Sequence, residues 1–369
     1  MFNPENHGLE ADFRCKVPQN VLDKYLELLG KDDVSKSSDS KHIGIGMDSA
    51  VIPLPNHQNL FLVQTVDFFY PLIDDPYLMG KIAFANVVSD IFATGVTMID
   101  KIKMIISAPT EFTEKQRDVV LPLMIKAFKD CADEIKTTLD IDWMAVNPWC
   151  MLGGIATSVC HESEIIFPTD AQIDDVLVLT KPLGTQLATN SYIWMKENSD
   201  EWKKLKSSEK ITEQQVLEMY DSAVKSMSFL NKTAAELMHK YKAHAATDVT
   251  GFGLLGHAHN LAEFQKENVS FVIDTLPVIK DVPKVAEILG RDVKLRAGKA
   301  VETSGGLLIS ISKTSVQDFI QEFECLTEFR AIIVGKVISG EKKAKMSETV
   351  TIIETKLLKI HSNIPCNMK

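Results

Sequence analysis

The sequence predicts an α/β (α+β) protein of two lobes, each built from a mixed sheet with packed helices. Short apolar runs typical of strands alternate with longer stretches of helical spacing, and one acidic, proline-containing passage interrupts this alternation near the middle. With 369 residues, 45% of them hydrophobic, the chain is long enough for two or three domain-sized cores. We therefore expect a mobile segment with one helix at residues 1–42, a lobe at 43–165 and a second lobe at 166–369.

The elements of the N-terminal half follow from hydrophobic spacing. Residues 18–29 have the spacing of a helix that stops at Gly30, and the polar residues 31–41 are typical of a loop. Strands are then predicted at residues 43–46, 60–66, 101–107 and 151–160. Helices are predicted at residues 77–93 and 114–136.

The C-terminal half begins after a predicted linker at residues 164–175, which contains Pro168 and several acids. The charged residues 199–210 predict a solvated connection. Strands are expected at residues 176–180, 270–273, 306–311, 331–337 and 350–353. Helices are expected at residues 186–198, 213–241 and 255–267.

Charge and composition exclude some classes of function. A net charge of -10 disfavours nucleic acid, which binds through lysine and arginine, but it permits ATP if a bound metal brings the phosphates to an acidic site. The sequence has no apolar stretch of about 18 residues and no apolar signal core, so we expect no membrane contact and a cytoplasmic location. Its six cysteines form no C-x-x-C pair and are expected to be reduced.

Two acidic residues of the predicted first lobe are candidates for a ligand site. Asp48 follows the string GIGM at residues 44–47, where glycines at a strand end open the backbone to a ligand, although a plain turn explains the string equally well. Asp90 lies four residues after Asn86 on a predicted helix, so the two share one face. A polar pair on an otherwise apolar helix indicates either a site or a solvated face.

Asp248 occupies a comparable position in the second lobe. It begins the string DVTGFG at residues 248–253 before a predicted helix, and such a helix start either binds phosphate or is capped by Asp248 or Thr250. Asp67, at the end of a predicted strand, is a fourth and weaker candidate. Three or four aspartates without a Cys/His cluster indicate a hard cation such as Mg²⁺ rather than zinc.

Other polar features have structural explanations that compete with functional ones. His257 and His259 are interpreted as polar residues of a helix start, and the string NPW at residues 147–149 as a turn with a buried ring. The string ETSGG at residues 302–306 either approaches a ligand or packs tightly before a strand. Cys15 and Lys16 are adjacent, which is common by chance but also lowers the pKa of a nucleophilic thiol.

Read together, these segments resemble the selenophosphate synthetase (selenide, water dikinase) family, in its eukaryotic branch. The matching strings occur in family order across about residues 13–340. They are CKVP at 15–18, GIGMD at 44–48, TVDF at 65–68, DPYLMG at 75–80, ANVVSD at 85–90, NPW at 147–149, LTKPLGT at 179–185, residues 244–257 and ETSGGLL at 302–308.

The resemblance implies an aminoimidazole ribonucleotide synthetase-like fold, a homodimer formed by the N-terminal lobes, and the conversion of selenide, ATP and water into selenophosphate, AMP and phosphate. By position, Lys16 matches the family's essential lysine. The resemblance implies that Mg²⁺ is bound by Asp48, Asp90 and Asp248. It implies that ATP is contacted by Lys16, Gly46, Met47, Asp48, Asp67 and Asp90.

The chain departs from the family pattern at three places. Phe13 and Arg14 replace the usual nucleophilic cysteine or selenocysteine and the glycine after it, which leaves Cys15 as the candidate thiol. Residues 141–144 replace a Gly-Gly loop that helps to hold the nucleotide, and Val301 replaces a proline. Three readings follow: a working enzyme with a shifted thiol, an inactive paralogue that binds Mg-ATP in a regulatory role, or an enzyme of the same fold with another acceptor.

Overall fold

The computed structural model describes residues 47–358, which form two six-stranded sheets with helices packed against them. In the first lobe the strand order is β1-β2-β6-β3-β4, and β5 also pairs with β3. The strands are β1 (Ala50–Pro53), β2 (Leu60–Phe69), β3 (Lys101–Pro109), β4 (Thr138–Asp140), β5 (Ala145–Asn147) and β6 (Leu152–His161). The helices are α1 (Pro76–Ala93) and α2 (Glu114–Ile135).

The second lobe has the strand order β12-β9-β11-β7-β10-β8 and helices on its faces. Its strands are β7 (Val176–Leu179), β8 (Ala245–Asp248), β9 (Val269–Ile279), β10 (Leu307–Ile311), β11 (Ile332–Ser339) and β12 (Ala344–Thr355). Its helices are α3 (Thr185–Glu197), α4 (Asp200–Ser207), α5 (Glu213–Ser228), α6 (Lys232–Lys240), α7 (Gly253–Glu263), α8 (Val282–Leu289), α9 (Asp292–Arg296) and α10 (Val316–Leu326). The α/β prediction of two mixed sheets is therefore confirmed.

Helix α1 lies between the two lobes and is buried on nearly all sides. Its start is fixed by Asp75, whose carboxylate accepts the backbone N–H of Leu78 at 2.8 Å, and by Pro76, which suits the first helical turn. On one side Phe84 packs edge-on against Phe128 of α2, with ring centroids 5.5 Å apart. Other sides of the helix contact β2 and β6 of its own lobe and α5, α6 and β8 of the second.

Two predicted elements of the second lobe are wrong. The helix expected at residues 213–241 is two helices, because the backbone of Phe229 is extended (φ -79°, ψ 130°) and ends the first of them. The solvated connection expected at residues 199–210 contains α4, which begins where the Ser199 hydroxyl accepts the backbone N–H of Trp202. Trp202 and Leu205 of this helix are buried, so one face of a charged sequence packs into the core.

The remaining predicted elements are present with shifted ends. The strand expected at residues 270–273 is the first part of the longer β9, and the strand expected at 350–353 lies near the end of the longer β12. These two strands pair in parallel along most of their length. The predicted segment 1–42 and the strand at 43–46 lie outside the described residues, and the division of the lobes at residue 165 stays a prediction. Within residues 47–358, no helix combines the length and apolar character that crossing a membrane requires.

Candidate functional site

Asp48 and Asp248 meet where the two lobes join. The backbone N–H of Asp248, the last residue of β8, donates to Oδ2 of Asp48 at 3.3 Å. His257 of α7 joins them: one ligand atom from each of the three side chains lies within 4.8 Å of the other two. Asp248 and His257 are buried and Asp48 is half-buried, so two carboxylates and an imidazole share a partly enclosed volume.

Asp90 is linked to Asp48 through the hydroxyl group of Thr65 in β2. The Thr65 hydroxyl oxygen lies 2.5 Å from Oδ2 of Asp90 and 3.5 Å from the backbone carbonyl oxygen of Asp48. Residues 65 and 67 alternate with exposed residues along β2, so both point toward α1. The structure therefore brings together Asp48, Asp90 and Asp248, which are distant in the sequence.

Asp67 is held by Asn86, which also contacts the second lobe. The Asn86 amide nitrogen donates to Oδ2 of Asp67 at 2.7 Å, and its amide oxygen accepts the backbone N–H of Ser304 at 3.0 Å. Asn86 is only 3% exposed, so this face of α1 is not a solvated face. Two polar residues of α1 thus contact the same region, since Asn86 contacts Asp67 and Asp90 contacts Thr65.

The donor set fits a hard divalent cation. Carboxylate oxygens are the ligands that Mg²⁺ takes from proteins, and it keeps waters or phosphate oxygens in its other positions. Two carboxylates within 4.8 Å of each other satisfy that requirement. An imidazole suits transition metals better, and the Nε2 atom of His257 already lies 3.2 Å from the Thr250 hydroxyl. Asp48 and Asp248 are therefore the residues of this group that could hold Mg²⁺.

The turn at residues 302–306 packs tightly against the end of the second sheet. A Cβ atom on Gly305 would lie 2.1 Å from the Val249 carbonyl oxygen, so only glycine fits there. Glu302 is 1% exposed, and its carboxylate accepts the backbone N–H groups of Gly184 at 2.6 Å and Thr185 at 2.9 Å, together with the Thr185 hydroxyl. Burial raises the pKa of Glu302 to about 7, and these donors oppose the rise. The glycines thus have a packing role, while Ser304 links the turn to the site.

Lys181 is buried beside the same turn. Its ammonium group donates to the backbone carbonyl oxygens of Phe229 at 2.6 Å and Ser304 at 3.0 Å. Burial lowers the pKa of Lys181 to about 7, although the charge of the nearby Asp248 carboxylate raises it. Sequence analysis found the string LTKPLGT but gave this lysine no role.

The residues that replace the Gly-Gly loop form the connection between β4 and β5. Asp142, a negative charge that this replacement adds, makes an ion pair with Lys103 of β3 and is therefore compensated within the first lobe. Trp143 is 75% exposed. The ring of Trp149 was expected to be buried, but it is only half-buried and contacts Tyr70 edge-on at 6.2 Å.

Three predicted site residues, Cys15, Lys16 and Gly46, lie outside the described residues. Met47 lies beside Asp48 at the first described position and packs against the core of the first lobe. His257 is the residue that sequence reasoning missed, because a histidine close to a helix start is commonly only a polar group there. Its distance of nine residues from Asp248 gave no signal, since a turn and the first part of α7 separate them.

Models of two domain families match the chain. Residues 46–139 match the AIR synthase related protein, N-terminal domain, and residues 172–346 match the AIR synthase related protein, C-terminal domain. Together they include Asp48, Asp90 and Asp248 and most strands of both sheets, while β5 and β6 lie between the two matched ranges.

Named relatives align with almost the whole chain. Selenide, water dikinase 2 of Drosophila melanogaster is 49% identical and covers 97% of this chain and 100% of its own length. Selenide, water dikinase 2 of Homo sapiens is 42% identical, and the alignment covers 96% of this chain and 86% of the human protein. Among solved structures, AaThiL complexed with AMPPCP and TMP is similar with a TM-score of 0.64 at 15% identity, covering 93% of this chain and 98% of its own.

Replacing Glu302 tests the turn that contacts the site. At pH 8, above the pKa of this carboxyl, Glu302→Ala leaves three buried donors without their acceptor. We expect it to lower the free energy of unfolding by about 2–4 kcal/mol, since one hydrogen bond to a charged group contributes roughly 1.5–3 kcal/mol. Urea denaturation measures the change. Glu341→Ala is the control, because that side chain is 84% exposed and pairs only with Lys343 across the surface. Equal stabilities for the two variants would contradict this role.

Proposed function

The chain belongs to the selenide, water dikinase family, and on that premise we propose that it converts selenide, ATP and water into selenophosphate, AMP and phosphate. Relatives with this name align over nearly the full chain at 40–49% identity, which favours an active enzyme over an inactive paralogue. The observation that carries the proposal is the meeting of Asp48, Asp90 and Asp248 at the junction of the lobes. A partly enclosed acidic site of this kind suits a cation-bound triphosphate.

Asp48, Asp90 and Asp248 are the proposed Mg²⁺-binding residues. The carboxylates of Asp48 and Asp248 are close enough to share an ion, and Thr65 keeps Asp90 next to them. When bound, Mg²⁺ screens the charges of the triphosphate and stabilises the charge that develops on phosphoryl transfer. The chain itself supplies the carboxylate of Asp90 from α1, that of Asp248 from the end of β8 and that of Asp48 from the bend before β1. Because Asp248 is buried, water is excluded from its side of the group.

The nucleotide contacts are proposed for the same edge of the first lobe. Asp67 presents a carboxylate whose orientation is set by Asn86. The proposed ATP-contacting residues are Lys16, Gly46, Met47, Asp48, Asp67 and Asp90. The family resemblance supplies these positions, and the contacts of Asp67 and Asp90 agree with them.

Lys16 and Cys15 carry the proposed chemistry of the N-terminal segment. Lys16 adds positive charge beside the transferred phosphoryl group, and Cys15 is the candidate thiol for selenide because Phe13 occupies the usual position. Cys131, Cys150 and Cys160 form no disulfide among the described residues, which agrees with the proposed cytoplasmic location.

Anaerobic incubation with Mg-ATP, with and without selenide, tests the proposed reaction. We expect AMP to form only when selenide is present, because selenide accepts the terminal phosphoryl group and water then hydrolyses the remaining diphosphate to AMP and phosphate. AMP is quantified by chromatography, and selenophosphate by phosphorus NMR. ATP binding without turnover, or AMP formation that is independent of selenide, would contradict the proposal.

Substitutions at the junction test its residues. Asp48→Asn and Asp248→Asn each remove one negative charge at nearly constant volume, and we expect each to reduce AMP formation on the order of 100-fold or more, the size seen when one electrostatic group of an active site is lost. Asp174→Asn, at an exposed position of the second lobe, is the matched control and keeps full activity. Full activity in both junction variants would refute their role.

A homodimer through the first sheet is also part of the proposal. Helices α1 and α2 cover one face of this sheet, and the other face presents Val66, Phe68 and Val159, each at least 45% exposed. Ile52 of β1 lies in the same row as Val159, because both strands pair through Leu62. An apolar sheet face of this size marks an interaction surface, and a second copy of the chain is the proposed partner.

Charge placed on this face tests the dimer. Val66→Glu puts a carboxylate on this apolar surface. We expect analytical ultracentrifugation to show a dimer for the unsubstituted protein and a monomer for the variant. Val293→Glu changes an exposed valine of α9 in the second lobe and leaves the dimer intact. A monomeric parent protein, or a Val66→Glu variant that is still dimeric, would contradict the assignment.

A further inference from the structure

Lys181 is an unusual residue to find in the interior. Its side chain is 1% exposed, and its two hydrogen-bond acceptors are neutral backbone carbonyls rather than carboxylates. The ring of Phe229 lies 5.8 Å from the ammonium and adds a weak cation–π contact. Burying an ammonium group that no hydrogen-bonded carboxylate compensates is unfavourable, so its position calls for an explanation beyond packing.

Both carbonyls belong to places where the backbone changes direction. Phe229 ends α5 and begins the break before α6. Ser304 has a left-handed backbone with φ of +46°, which a residue with a side chain adopts only when its surroundings hold it there. The hydrogen bond from Lys181 to the Ser304 carbonyl is one of those constraints.

The Ser304 backbone fixes the orientation of Asn86. A backbone N–H only donates, so the amide oxygen of Asn86 must face Ser304 and its amide nitrogen must face Asp67. The chain of contacts from Lys181 through Ser304 and Asn86 to Asp67 is therefore directional. Asn231 also links this turn to α1, since its amide nitrogen donates to the Gly305 carbonyl and to the Ser89 hydroxyl, each at 2.9 Å.

We propose that Lys181 is a positioning residue: it holds Ser304 in its left-handed conformation, and through Asn86 it orients the Asp67 carboxylate toward the nucleotide. This inference rests on the proposed function, because it assigns Asp67 a contact with ATP. Without the ammonium group, the Ser304 carbonyl loses its donor and the turn relaxes. The Ser304 N–H then moves away from Asn86, whose amide is free to rotate and release Asp67.

Lys181→Met tests the proposal, because methionine fills a similar volume and cannot donate. The dissociation constant for Mg-ATP is measured by calorimetry, which needs no turnover, and KM and kcat are measured in the selenide-dependent assay. We expect the dissociation constant and KM for ATP to rise roughly tenfold, as for loss of one hydrogen bond to a charged group, with a smaller change in kcat. Lys240→Met is the control, since that surface lysine pairs with Glu322 far from the turn, and it leaves all three values unchanged.

A double-mutant cycle separates positioning from a general loss of stability. If Lys181 acts through Asn86, the variant Lys181→Met, Asn86→Ala binds ATP no more weakly than Asn86→Ala alone. Circular dichroism checks the fold, and Lys181→Leu, which also lacks a donor, replaces the methionine variant if that variant does not fold. Unchanged ATP binding in a folded Lys181 variant, or effects that multiply in the double variant, would overturn the proposal. If the parent protein binds ATP but shows no selenide-dependent turnover, the proposed function is contradicted. The role of Lys181 is then still tested by the dissociation constants for ATP.

Discussion

The burial of α1 between two sheets is the constraint on which the rest of the structure depends. A helix that is apolar almost all round must be covered on all sides, and here one sheet cannot cover it alone. The second lobe completes the burial through α5, α6 and β8. As a result two polar residues of the helix, Asn86 and Asp90, lie at the junction of the lobes rather than in water. The position of the site is therefore a consequence of packing.

The same packing brings three aspartate side chains close together. Asp48 and Asp90 belong to the first lobe and Asp248 to the second, and folding brings their carboxylates into a partly enclosed volume where mutual repulsion is stronger than in water. In the function proposed for this chain, a divalent cation would remove that repulsion and attract a polyphosphate, which would give an acidic protein a site for an anionic substrate. The one buried ammonium near this region, among the residues described, belongs to Lys181, whose donors are directed to backbone carbonyls.

Much of this arrangement could be predicted from sequence, because local patterns record local requirements. The alternation of strands and helices predicted the two lobes, and the strings around Asp48, Asp90 and Asp248 pointed to three acids that the fold brings to the junction. Features that depend on contacts between distant segments were not predictable. The break at Phe229, the packing of α4 through Trp202 and the position of His257 each depend on the partner that the element meets in the folded chain. Likewise, nothing local shows that Lys103 compensates the charge of Asp142.

The most direct test of this account is a crystal structure of the protein with Mg²⁺ and the ATP analogue AMPPCP. The account predicts one Mg²⁺ bound by carboxylate oxygens of both Asp48 and Asp248 at roughly 2.0–2.1 Å, with phosphate oxygens completing its coordination. Asp90 lies beside the same phosphates. A structure in which the triphosphate and its metal bind elsewhere, and in which Asp48 and Asp248 have no ligand in common, would contradict it.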